Sequence, residues 1–223
     1  NHSPNPLVRA VTDGQAFAAA APTKWPESAV VAMKLPRSNA LLELRLRWLS
    51  RHVSADTVLV AGVMAKRLSR GAVKLLERFG GPTTVSLARR KARLVTSGFC
   101  SGAAPAPALV HTEVDGLQLR AWPAVFGATG LDAGAAALLP HIRPRPGAGI
   151  VDLGCGSGVL GLFAAKTAKA SSVVFVDDSD LAVRSARASW EANAAVLDGR
   201  EATFVHAGDL SSVAANSASL VVC

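Results

Sequence analysis

Apolar and polar positions along this chain fall into two series of strand-like and helix-like stretches, parted by a turn-rich segment over residues 101–107 (SGAAPAP). In the first series, residues 1–28 are rich in Pro, Ala and polar side chains and show no clean period. From Ser38 a helix is predicted, because Ser38 can cap it and Leu42, Leu46 and Leu49 recur on one face. The β-branched run over 57–60, ending at Ala61-Gly62, reads as a buried strand. A helix over 68–79 is closed by Gly80-Gly81-Pro82, and residues 83–88 and 93–97 read as strands.

The second series opens with alternating runs around Asp115-Gly116, a hairpin signal, and a helix over 131–141. It continues as strand 149–153, helix 159–169, strand 173–177, helix 180–195 capped by Ser179, and strands 202–207 and 220–223. Strand alternating with helix predicts an α/β fold. The expected boundary divides the chain into domains 1–106 and 107–223. Two cycles of the same type fit an old duplication.

Charge sharpens this division. The net charge is +8, but residues 1–120 carry 17 Lys and Arg against 7 Asp and Glu, and the remainder 7 against 9. A basic half suits a polyanion such as RNA, and a near-neutral half suits a small-molecule site. Within the basic half, Arg89, Arg90, Lys91 and Arg93 are the candidate RNA contacts, with a solvated edge as the alternative. Cys100, Cys155 and Cys223 lie far apart and form no zinc spacing with the five histidines, so no metal is expected, and a reducing, cytosolic compartment follows. No apolar run approaches the roughly 20 residues of a membrane span. No basic segment precedes the apolar run 16–21, so no signal peptide and no membrane partner are expected. The chain opens on Asn1, from which a natural start further upstream is expected.

The chemistry concentrates in Ile150-Val151-Asp152-Leu153-Gly154-Cys155-Gly156-Ser157-Gly158-Val159-Leu160-Gly161, a strand, a glycine turn and a helix start. Glycines let the backbone turn sharply and approach a ligand, and ligands bind beyond the carboxyl ends of such strands. The spacing Gly156-x-Gly158-x-x-Gly161, with Asp177 19 residues after Gly158, also matches a dinucleotide fingerprint. Asp152 argues against that cofactor. A carboxylate two residues before Gly154 repels a pyrophosphate but suits the ammonium of S-adenosylmethionine, directly or through water. Asp177, ending the next strand, can accept from both ribose hydroxyls. Its alternative role is a helix N-terminal acid, which Asp178 and Asp180 also fit. Asp209, after the strand 202–207, either accepts from the adenine amine or is a plain loop residue.

At these residues the chain resembles the ribosomal RNA guanine-N2 methyltransferases, with a lean to the large-subunit enzymes. The resemblance rests on Leu35-Pro36-Arg37-Ser38-Asn39-Ala40-Leu41-Leu42 and Gly81-Pro82-Thr83-Thr84 in the first half. In the second it rests on Val125-Phe126-Gly127, Leu131-Asp132-Ala133-Gly134, Val151–Leu162 and Phe175-Val176-Asp177-Asp178-Ser179. It implies two tandem Rossmann-like methyltransferase-type domains. The first is degenerate and holds RNA. The second is class I, S-adenosylmethionine-dependent and incomplete at its C-terminus. Residues 57–62 are expected to be the first Rossmann strand of the degenerate copy, with Val63-Met64-Ala65-Lys66 replacing the glycine turn. The resemblance further implies a monomer that methylates the exocyclic N2 of a guanine, with Asp152, Gly154, Gly156, Gly158, Asp177, Asp178 and Asp209 at the cofactor. The family carries Asn-Pro-Pro-Phe after a strand like 220–223, so the catalytic residues are expected beyond Cys223 and this chain alone is expected to be inactive. The competing functions are an RNA-binding module without catalysis, and an amino-methyltransferase acting on DNA adenine or protein glutamine.

Overall fold

The computed structural model describes residues 8–10, 30–100, 105 and 108–223. The chain divides into two compact units, Asn1–Pro107 and Ala108–Cys223.

The first unit contains β1 (Val8–Ala10), β2 (Val30–Lys34), α1 (Asn39–His52), β3 (Val58–Met64), α2 (Arg70–Gly80), β4 (Thr84–Val85) and β5 (Ala92–Ser97). The sheet order is β1-β2-β3-β5-β4, with β1, β2 and β3 parallel and β5 antiparallel to both its neighbours. Ser38 caps α1 through the Leu41 N–H at 3.3 Å, and Leu42, Leu46 and Leu49 are buried as the periodicity predicts. They pack with Val31, Leu59, Ala61, Leu76 and Val95 into one core. Strand β2 is buried at alternate positions and was not anticipated by its pattern, and β1 lies in the stretch read as aperiodic. The expectation that residues 57–62 form a first Rossmann strand is corrected. β3 has an antiparallel neighbour in β5, whereas a first strand lies between two parallel ones.

The second unit contains a hairpin of β6 (Val110–Val114) and β7 (Leu117–Ala121), then α3 (Ala133–Leu138), β8 (Gly149–Leu153), α4 (Val159–Ala168), β9 (Ser172–Asp177), α5 (Asp180–Ala192), β10 (Ala202–His206) and β11 (Leu220–Val222). The order β10-β9-β8-β11 is parallel throughout, the doubly wound pattern with β8 at the point where strand order reverses. The hairpin turns at Asp115-Gly116, both in the left-handed region, as a two-residue primed turn requires. The helix expected over 131–141 is α3 followed by a 3-10 turn at Leu139–His141, where Pro140 has no N–H to continue the ladder.

Helix α5 joins the hairpin to the sheet in an unusual way. Ser185, Ser189 and Asn193 stand one turn apart, all essentially buried. They accept from the N–H groups of Trp122 (3.0 Å), Arg120 (3.0 Å) and Gln118 (2.9 Å), along the edge of β7 that β6 does not cover. A helix face of short polar side chains thus does the work of a neighbouring strand. On its other side α5 packs Ala186 and Trp190 into the core around Phe175.

Candidate functional site

The glycine turn leaves the carboxyl end of β8, as its sequence predicts. Gly154, Gly156 and Gly158 have φ of 71°, 52° and 85°, which side-chain-bearing residues rarely adopt. The three do different things. A Cβ on Gly158 would stand 3.1 Å from Ala186 of α5, so this glycine serves helix packing. A Cβ on Gly156 would meet the Phe126 carbonyl oxygen at 3.1 Å. A Cβ on Gly154 would meet nothing within 4 Å, so only Gly154 faces open space.

The turn is pinned by the end of β9. The N–H groups of Gly154 and Cys155 donate to the Val176 carbonyl at 2.8 and 3.0 Å, and that of Gly156 to Asp177 Oδ2 at 3.0 Å. The other oxygen of Asp177 accepts from the Ser179 N–H at 2.9 Å. Ser179 occupies the N-cap of α5 but its side chain makes no capping bond, which corrects the expected cap; its own N–H is held by the Asp177 carboxylate. Gly158 donates to the Cys155 carbonyl at 2.7 Å.

Asp152 is only 1% exposed and its Oδ2 accepts from the Gly161 N–H in the first turn of α4 at 2.8 Å. Burial pushes its carboxyl up to about 7, with the charge of Asp177 adding to the rise and the Gly161 N–H opposing it. Burial also pushes the Cys155 thiol up, reinforced by Asp152 and Asp177. The site is therefore a carboxylate pair around a turn whose amides are largely spent on the protein itself.

Asp178 is exposed, and its carbonyl oxygen lies 3.0 Å from His206 Nε2. Asp209 is exposed beyond β10, its Oδ1 accepting from the Ser211 N–H at 2.9 Å. The Ser211 hydroxyl and N–H hold the Asp209 carboxyl below its ordinary value. Asp152 and Asp177 are thus brought to one turn, while Asp178 and Asp209 lie on the loops that follow the neighbouring strands. Sequence reasoning missed the part of Phe126, which is 76% exposed while its carbonyl abuts the glycine turn. Its signal in the sequence was its place in Val125-Phe126-Gly127, one of the segments that carry the family resemblance.

In the first unit, Arg89, Arg90 and Lys91 form the exposed tip of the turn into β5, and Arg93 is half-buried. Arg89 and Ala92 exchange both backbone hydrogen bonds at 2.9 Å. Arg90 and Lys91 between them have φ of 49° and 63°, a turn that usually takes Asn-Gly. Leu87 and Leu94 stand exposed next to it. Among the described residues no cluster of His, Cys, Asp or Glu could hold a metal, and no helix is long and apolar enough to cross a membrane.

Known proteins share this arrangement. Residues 8–102 match the RLMG N-terminal domain and residues 116–223 the methyltransferase small domain. Two proteins named ribosomal RNA large subunit methyltransferase G, from Pseudomonas putida strains GB-1 and W619, are each 38% identical over 197 residues. Those residues are 86% of this chain and 52% of each relative, so the chain spans about half the length of the curated relatives it matches. Among solved structures, the 16S rRNA N2 methyltransferase RsmC of T. thermophilus, in complex with AdoMet and guanosine, matches with a TM-score of 0.68 at 23% identity. That match covers 88% of this chain and 54% of the other, and it establishes the shared methyltransferase-like α/β fold. The chain is thus similar, half by half, to the RLMG N-terminal domain and to the methyltransferase small domain.

Proposed function

We propose that the chain takes part in S-adenosylmethionine-dependent transfer of a methyl group to the exocyclic N2 of a guanine in ribosomal RNA. In this reading residues 107–223 hold the cofactor and residues 1–106 help hold the RNA, in a monomer acting in the cytoplasm without a metal. The observation that carries the cofactor reading is the way the glycine turn spends its donors. The N–H groups of Gly154, Cys155, Gly156, Gly158 and Gly161 are bonded within the protein, and the carboxyl groups of Asp152 and Asp177 sit among them. A pyrophosphate placed on this turn would be repelled by the Asp177 carboxylate, whereas a sulfonium with an ammonium would be attracted to it.

The residues fit that group. Asp177 lies at the strand end with each oxygen accepting one bond, which leaves each a further lone pair for a ribose hydroxyl. Asp152 offers its second oxygen toward the ammonium, or toward a water bound to it. Gly154 provides the open floor, and Asp178 and Asp209 border the sugar and the adenine. The cofactor supplies a methyl on a positively charged sulfur. The protein's own part is to fix that methyl in line with a guanine nitrogen whose lone pair is delocalised into the ring, so that placement supplies most of the rate. Arg89, Arg90 and Lys91, on an exposed turn, suit phosphate contacts that hold the RNA without reading its sequence.

The test uses the full-length gene product with radiolabelled S-adenosylmethionine and undermodified ribosomal RNA, the product nucleosides being resolved by mass spectrometry. N2-methylguanosine is expected, with loss of transfer in Asp177→Ala. Methylated adenine, a methylated protein side chain, or no product would overturn the reading.

A further inference from the structure

The first unit contains a cavity of about 820 Å³ that the reading above does not use. It lies beyond the carboxyl ends of the parallel pair β2 and β3, lined by Lys34 and Leu35 from one and by Gly62 and Met64 from the other. The carboxyl ends of parallel strands are the side on which open α/β sheets bind their ligands, although strand order does not reverse between β2 and β3. The size falls within the range of small-molecule sites.

Its chemistry is the inverse of that in the second unit. Where β8 and β9 end in Asp152 and Asp177, the cavity here is lined by Lys34, Arg37, Arg45 and Arg67. Among the described residues no carboxylate lines it, and no salt bridge engages Lys34, Arg37 or Arg67. Arg45 is 4% exposed, so one guanidinium is built into the wall and not merely displayed. The remaining wall is apolar, from Met33, Leu35, Val63 and Met64. A ligand that satisfies both surfaces carries a phosphate-like anion and an apolar or weakly polar body, as a nucleotide does with its base. The floor between them is Gly62, where a Cβ would meet nothing within 4 Å, so the backbone leaves room for close approach.

We propose that this cavity is a nucleotide-binding site, in which the cations take the phosphate and the apolar wall takes the base of one nucleoside monophosphate unit, either free or within single-stranded RNA. Its RNA form deepens the RNA-holding part of the reading above and rests on it, while the site itself requires neither cofactor nor methyl transfer. Arg45 and Arg67 suit the phosphate, because a guanidinium presents paired donors in a fixed plane. The strand Val58–Met64 that carries Gly62 is anchored by both its neighbours, so the site is held on a rigid element.

The test measures binding of guanosine 5′-monophosphate, and separately of a fluorescent single-stranded RNA oligonucleotide, to the whole chain. Inorganic phosphate and guanosine serve as partial ligands. Gly62→Leu fills the floor without strain, since Gly62 does not have the left-handed backbone that disfavours side chains. Arg67→Glu, at an exposed position, keeps the test alive should Gly62→Leu not fold. Each variant is expected to weaken binding about tenfold or more, with S-adenosylhomocysteine affinity unchanged, which separates this cavity from the cofactor site. Weakening of the monophosphate alone identifies a free nucleotide, and weakening of the oligonucleotide alone identifies a nucleotide within RNA. A 4-thiouridine oligonucleotide should crosslink to peptides containing Lys34–Arg37 or Gly62–Arg67. Unchanged binding of both probes in the variants, or guanosine binding as tightly as its monophosphate, would overturn the proposal.

Discussion

Asp152 and Gly161 are joined by a 2.8 Å hydrogen bond that ties the end of β8 to the first turn of α4 across the glycine turn. The bond explains why position 161 is glycine despite lying inside a helix. A Cβ there would stand 2.5 Å from the Phe175 ring and 2.8 Å from the very oxygen that accepts the bond. Gly161→Ala should therefore destabilise the second unit by about 1–3 kcal/mol, as an overpacked core does. Urea unfolding would show it, and a variant as stable as the parent would refute the packing argument.

The same buried carboxylate sets a pH dependence. Asp152 keeps its proton in the folded protein up to about pH 7, while in the unfolded chain it ionises near the ordinary value of 3.8. Between those values the folded state binds the extra proton. Stability is then fully present below the unfolded value and is lost as pH rises toward about 7. The three-unit interval corresponds to an effect on the order of 4 kcal/mol. Asp152→Asn retains an acceptor for Gly161 and should flatten this slope. A parent protein of constant stability from about pH 5 to about pH 7.5 would contradict the assignment.

The glycines of the turn should separate in their effects on cofactor affinity. Gly154→Ala places a methyl in open space, at a cost of roughly 1–2 kcal/mol for the left-handed backbone. It should weaken S-adenosylhomocysteine more than it weakens the fold. Gly158→Ala presses on Ala186 and should do the opposite. Calorimetric titration beside thermal melting distinguishes them, and equal losses in both readouts for both variants would place the ligand elsewhere.

Much of this was legible in the sequence because it is local. Glycines at the end of an apolar run, Asp115-Gly116 between alternating stretches and leucines one turn apart report on their own neighbourhoods. What failed depended on distant partners. Strand β2 draws its order from β1 and β3, and the antiparallel return of β5, which excludes β3 as a first strand, has no signature within residues 57–62. The candidate cofactor residues were legible as types. That Asp177 would turn one oxygen to Gly156 was not, because that bond exists only once the ends of β8 and β9 lie side by side, whereas its bond to Ser179 is a local Asx turn.

The polar ladder on α5 gives a further prediction. Ser185, Ser189 and Asn193, themselves buried, each satisfy a backbone N–H of the hairpin or the residue after it through a part-buried bond. Replacing any one with Ala leaves that donor without its partner and should cost about 1–2 kcal/mol. Asn193→Ala also removes the bond from Nδ2 to the Gln118 carbonyl and should cost the most. Hydrogen exchange of the Gln118, Arg120 and Trp122 amides would show the loss one residue at a time. Uniform exchange across all three in every variant would mean that the hairpin is held by its apolar face alone.

The turn at Arg90-Lys91 sets stability against RNA binding. Both residues lie in the left-handed region, where a side chain costs roughly 1–2 kcal/mol. Lys91→Gly relieves that strain, and the Ala65 N–H bond to the Lys91 carbonyl, at 2.8 Å, needs no side chain and survives. The variant should be more stable by about 1 kcal/mol. It also removes one cation from the exposed tip. If Lys91 contacts a phosphate, affinity for ribosomal RNA falls, and the slope of log affinity against log salt becomes shallower by about 0.7–0.9. Arg90→Gly should behave alike. Leu87→Ala, a neutral change next to the tip, should leave the salt slope untouched. A Lys91→Gly protein that melts higher but keeps both RNA affinity and salt slope would show that the strained turn has a role other than phosphate contact. One that melts no higher would show that the strain is already relieved by its surroundings.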